Sequence, residues 1–139
     1  MKIPALMLVA AVAASAVPVS ADSPAKDVEL STGYRAVSLS VPSHQLAFIH
    51  PGDRVDVMTT FDAPMEDKKI EAVTATILQN VIVMDLNPMQ GIIELELNPN
   101  EAQYAALFDS KDKVWISRRA KGDVEMRPME MASARKLFR

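Results

Sequence analysis

The stretch that most constrains this chain is a tight turn feeding directly into a strand, at residues 49–58. Pro51 presets the φ wanted at the second position of a turn, and Gly52 accepts the positive φ wanted at the third. Asp53 is placed to bond nearby backbone amides. From there Val55 and Val57 alternate with Arg54, Asp56 and Met58, the two-residue period of a half-buried strand. The same period returns at Val37, Leu39 and Val41, and again at Ile93, Leu95 and Leu97. Pro42 closes the first of these and Asn98 with Pro99 the last, while the run from Val55 ends in the charged, proline-broken stretch after Phe61. Such punctuation predicts short strands rather than a helical bundle.

Taken in order, Tyr34 to Val41 reads as the first strand, closed by Pro42. Ser43 to Ile49 is too short for a stable helix, and reads as one turn that drops Leu46 and Phe48 or Ile49 into the core. Arg54 to Phe61 is the second strand, and the charged, proline-broken residues 62–69 form an exposed loop. Ile70 to Gln79 is the third strand. It sets Val73, Ala75 and Ile77 against Thr74, Thr76 and Leu78. With β-branched residues on both faces it belongs in the middle of a sheet. Val81 to Leu86 either continues it or starts another strand after a kink at Asn80. A hairpin loop at 87–91 leads to Ile92–Leu97, with Ile93, Leu95 and Leu97 inward and Glu94 and Glu96 toward water.

Asn98, Pro99 and Glu101 give the clearest helix start: an N-cap, a proline in the first helical position, and a capping box. The helix runs over about 99–108, with Ala102, Ala105, Ala106 and Leu107 as its packing face. Lys113 to Arg119 is the last strand, turned by Gly122 and Asp123. The remainder is a mixed-charge tail whose end, 129–138, has weak helical character. The fold class is therefore mainly β (α+β), a six- to seven-stranded barrel or sandwich with one packed helix.

The first 21 residues stand apart. Lys2 precedes an apolar run rich in Ala and Val, and Val19, Ser20 and Ala21 form a small-residue cleavage site. This predicts a secretory signal peptide cut after Ala21, with a cut after Ala16 as the weaker choice, and a product exported to the periplasm. The mature chain would hold 139 − 21 = 118 residues. Of 15 basic and 18 acidic residues it loses Lys2, leaving 14 − 18 = −4. That balance argues against nucleic acid as a partner. The chain has no cysteine, so packing or assembly must hold the domain together. The expected division is a signal peptide at 1–21, a linker at 22–33, a β domain at 34–120 and a C-terminal tail at 121–139.

Few side chains invite chemistry. His44 and His50 are the two histidines, and no cysteine joins them in a metal set. Asp53 and Asp56 lie three apart, on opposite strand faces. Turn bonding explains the first, and a solvent face or an arginine pair explains the second, rather than a catalytic dyad. There is no nucleophile elbow and no phosphate-cradling loop. Met126, Met129 and Met131 could bind cuprous copper through thioethers, but methionine also suits adaptable contact surfaces. No cofactor and no enzymatic activity is expected.

Several words fall in a telling order: Gly33 to Leu39, Pro51 to Val57, Ile77 to Val81, Ile93 to Ala102, and Val114 to Arg119. Together they resemble the Flp/Tad pilus assembly family known as CpaB or RcpC, over roughly Gly33 to Arg119. The resemblance implies a non-enzymatic periplasmic component of a Tad-type secretion apparatus for Flp pilus biogenesis. Its implied partners are the outer-membrane secretin and other pilus assembly proteins, within a homo-oligomeric ring peripheral to the outer membrane. Pro51, Gly52, Asp53 and Arg54 carry over as a structural signature, with no catalytic residue. Usual members carry a SAF module between the export signal and this region. Only residues 22–33 fill that place here, so the match is to the core domain. The alternative is a stand-alone periplasmic binding module for copper or a glycan.

Overall fold

The computed structural model describes residues 28–108 and 113–138. The expected signal peptide lies outside them. The chain forms β1 (Arg35–Ser40), a 3₁₀ turn (Ser43–Leu46), β2 (Arg54–Pro64), β3 (Ile70–Asn87) and β4 (Ile92–Leu97). Helix α1 (Pro99–Leu107), β5 (Val114–Arg118), β6 (Ala132–Ser133) and the single turn α2 (Ala134–Leu137) complete it. The strands make one six-stranded antiparallel sheet in the order β1-β4-β3-β2-β5, with β6 added to β3. The fold is mainly β, as the two-residue period predicts. The pairing path is open, ending at β1 and β5, so the sheet is not a barrel. It curls enough that Leu39 of β1 and Val114 of β5 share one core cluster.

One face of every long strand feeds that cluster. Val55 and Val57 of β2, Val83 of β3, and Ile93, Leu95 and Leu97 of β4 are fully buried. Each contributes about 1.5–3 kcal/mol by leaving water. Ala105 of α1 closes the cluster, while Leu107 and Ala106, expected on the packing face, are exposed. The helix is short, so its inward stripe is no wider than Ala102 and Ala105. Its start is as expected: Asn98 Oδ1 accepts from Glu101 N at 2.8 Å, and Asn98 N donates to Glu101 Oε1 at 2.9 Å.

Strand β3 occupies the middle of the sheet and continues through Asn80 without a break. Asn80 takes a left-handed φ of 55°, and the β2–β3 register slips between Val55 and Met58. These bulges insert extra residues, so Leu78, expected on the face opposite Val73, joins the core together with Ile77. Strand β2 runs on to Pro64, pairing with Ile70, so the expected loop at 62–69 shrinks to residues 65–69. Of the two candidates after the 3₁₀ turn, Ile49 is buried and Phe48 is 78% exposed. Glu96, expected in water, is only 6% exposed, and its Oε1 accepts from Ser31 N at 2.6 Å. The arm before β1 folds over the outer face and covers it.

Candidate functional site

Pro51, Gly52, Asp53 and Arg54 build the corner that joins the 3₁₀ turn to β2. Gly52 sits at φ +90°, the left-handed value that its place in the turn requires. Asp53 N donates to His50 O at 3.0 Å, closing the turn, and His50 N donates to Asp53 Oδ2 at 2.8 Å. Two backbone bonds then pin the corner to β3. Gly52 N donates to Val83 O at 2.8 Å, and Val83 N donates to Asp53 O at 2.9 Å. The turn is thus a fixed part of the sheet rather than a free loop.

Arg54 leaves the turn on the outer face. Its Nη1 donates to Asn80 Oδ1 at 3.2 Å, which ties the start of β2 to the bulge in β3. Asp56, two residues on, accepts from Asn80 N at 2.8 Å and from Arg119 Nε at 2.8 Å. Arg119 also reaches Asp123 Oδ1 at 3.2 Å and Glu125 O at 2.7 Å. Its side chain is 7% exposed. The Asp56 carboxylate on its guanidinium, with Asp123 nearby, raises its affinity for the proton still further above the ordinary range. Arg119 is therefore a permanent positive post, and Asp56 is its partner. Asp53 and Asp56 do not form a pair, in keeping with the strand period.

The turn forms one wall of a cleft of about 640 Å³, and Arg118 to Gly122 form the other. Arg54, Arg118 and Lys121 line it. Arg118 Nη1 donates to Phe48 O at 2.9 Å. The cleft presents hydrogen-bond donors and positive charge, which suits carboxylates more than apolar ligands. The first wall read as a turn into a strand, and the family resemblance carried it over as a structural signature. The second wall read as a strand end and a turn, since nothing local says which turn it will face.

The other candidates fall elsewhere. His44 is in the 3₁₀ turn, and His50 Nδ1 lies 3.8 Å from Asp53 Oδ2. Among the described residues no group of three His, Cys, Asp or Glu side chains gathers. Met126, Met129 and Met131 lie along the extended segment after the Gly122 turn, each more than half exposed. That segment is held against β3. Arg127 N donates to Gln79 Oε1 at 3.0 Å, and Gln79 Nε2 donates to Arg127 O at 2.7 Å.

The family model described as Flp pilus assembly protein RcpC/CpaB matches residues 27–116. That span takes in the turn, β1 to β4, α1 and most of β5. No curated protein and no solved structure gives a match.

Proposed function

This chain belongs to the Flp pilus assembly protein RcpC/CpaB family, and from that premise we propose that it works by contact as a periplasmic component of a Tad-type secretion apparatus. Its partners in this reading are the outer-membrane secretin and further copies of itself in a ring. The chain is exported by the signal at residues 1–21, and the mature form starts at Asp22. The observation that carries the reading is the family match over most of the folded part. A corner pinned by two backbone bonds to the central strand supports it, because rigid elements make good docking platforms.

The test is co-purification from cells that assemble Flp pili. A tagged full-length chain should bring down the secretin, and its loss should remove surface pili. A chain that never associates with secretin or pilus proteins in such cells overturns the reading. N-terminal sequencing of the exported form should return Asp22. Recovery of Met1 or Lys2 in a membrane fraction overturns the cleaved-export half of the proposal.

A further inference from the structure

Two charged features of opposite sign have no oppositely charged partner among the described residues, although Arg54 bonds Asn80, Arg118 bonds Phe48 O and Asp85 accepts from Leu86 N. The first is the cleft beside the Pro51–Gly52 turn. Among the described residues, no carboxylate lies within ion-pair distance of Arg54, Arg118 or Lys121. Arg119 is satisfied by Asp56 and Asp123, so the other three set the sign of the cleft. Asp53, the carboxylate on the cleft wall, is turned to His50 N. A positive cleft runs against the balance of a chain whose net charge is −3.

The second feature is on β3 and β4. Asp85 and Glu94 stand directly opposite each other in the register, with Ser38 of β1 next in the same row. They flank the buried Ile93 and Leu95 and so face outward, lining a shallow hollow of about 230 Å³ with Ser38. Like charges directly opposite on neighbouring strands destabilise a sheet. Several charges elsewhere are paired: Asp56 with Arg119, Asp67 and Glu71 with Arg135, Glu125 with Arg127. Among the described residues no cation pairs with Asp85 or Glu94.

We propose that the cleft formed by Arg54, Arg118 and Lys121 of one copy receives the Asp85–Glu94 pair of a second copy. The occupant is a second copy because this one chain supplies both halves of the contact. The two carboxylates, held a strand spacing apart, are the kind of acceptor that guanidinium and ammonium groups bind. Contact relieves the repulsion within each half. It also gives the family's signature turn a task, as a wall of the receiving cleft. The inference rests on the assembly reading and names the surface through which copies join.

The test uses the exported full-length chain in sedimentation velocity, at about 0.05 M and about 0.5 M salt. Wild type should self-associate at low salt, and raising the salt should weaken association roughly tenfold or more. Arg118→Glu with Lys121→Glu should be monomeric, because both halves are then acidic. Asp85→Lys with Glu94→Lys should be monomeric, because both halves are then basic. An equimolar mixture of these two variants should associate again, since each carries what the other has lost. Circular dichroism should show all of them folded. Wild type that is monomeric at both salts overturns the proposal, and so does a mixture that stays monomeric. Loss of secretin co-purification in the Arg118→Glu, Lys121→Glu variant, with wild type monomeric, also overturns it and assigns the cleft to a different acidic partner. Failure of the assembly reading has another signature: association and rescue by mixing, but no pilus component ever co-purified.

Discussion

Thr59 lies in the core face of β2, 1% exposed, and its hydroxyl has no hydrogen-bond partner among the described residues. A buried unpartnered hydroxyl costs about 1–3 kcal/mol. Thr59→Val keeps the shape and removes the polar atom. It should raise stability by about 1 kcal/mol, a melting point some 4 °C or more higher for a domain of this size; a lower melting point means that a water reaches the site. Gly91 is the opposite case. It holds φ +64°, and an added Cβ would meet Val41 O at 2.5 Å. Since Val41 N also donates to Gly91 O at 2.8 Å, the two backbones cannot separate freely. Gly91→Ala should cost about 2 kcal/mol in a denaturant titration. Gly52 is roomier, with nothing nearer than Val28 Cγ2 at 3.9 Å. There the φ of +90° is the obstacle, so Gly52→Val should lower the melting point more than Asp53→Ala, which loses one side-chain bond. Glu96 shows what a residue-level reading misses. Its alternation with Leu95 and Leu97 correctly sets it on the outer face, but the arm that buries it there comes from residues 28–34, which have no period of their own.

Edge strands need covering, and this chain does it with a glutamine side chain as well as with a strand. Gln45 Nε2 donates to Val114 O at 3.1 Å, and its Oε1 accepts from Ile116 N at 2.7 Å. One amide thus stands in for a neighbouring strand along β5. Gln45→Ala should leave the Ile116 amide open, and its hydrogen exchange should accelerate while Leu95 stays protected; unchanged exchange at Ile116 refutes the role. The tail does the same for β3. Where β4 stops pairing, Ser133 and Ala132 pair with Val73 and Thr74. Arg135 then reaches Asp67 Oδ2 at 2.9 Å, and its Nε lies 2.7 Å from Glu71 Oε2, close enough for an ion pair though not aligned as a hydrogen bond. The Lys69 amide first, and then Arg135, hold the Asp67 carboxyl below its ordinary 3.8. A depressed carboxyl contributes stability above its unfolded value of about 3.9, and that stability is lost as pH falls through the lower folded value. The α2 end of the tail should therefore loosen below about pH 4. Amide exchange at residues 133–138, compared at pH 6 and pH 3, reads this directly; equal protection at both refutes it.

For the whole molecule, Ile93 is the test of the core. It is fully buried between Leu39 of β1 and Leu86 of β3 in the register. Ile93→Lys places an unpaired ammonium there and should unfold the domain by circular dichroism. Removing 124–139 should leave the sheet folded but less stable, because it uncovers the β3 edge and Glu71. Without disulfides, a sheet this small relies on that one cluster and on whatever it docks with.

The sequence by itself determined the features that depend on nearest neighbours along the chain. The alternation at Val55 and Val57, and at Ile93 to Leu97, fixes which side of each strand is apolar. Asn98, Pro99 and Glu101 fix where the helix begins, and Pro51 with Gly52 fixes the corner. These depend on backbone dihedrals and on side chains a few residues apart, so they are written locally. The tertiary structure decided whatever depends on partners distant in the chain. Asn80 reads as a kink, but its backbone N–H donates to Asp56 and its side-chain oxygen accepts from Arg54, which holds it as a bulge within a continuous β3. Pro64 reads as a loop residue, but Ile70 holds it in a strand. The cleft has one wall at residues 51–54 and the other at 118–122, and only the β2–β5 pairing brings them face to face.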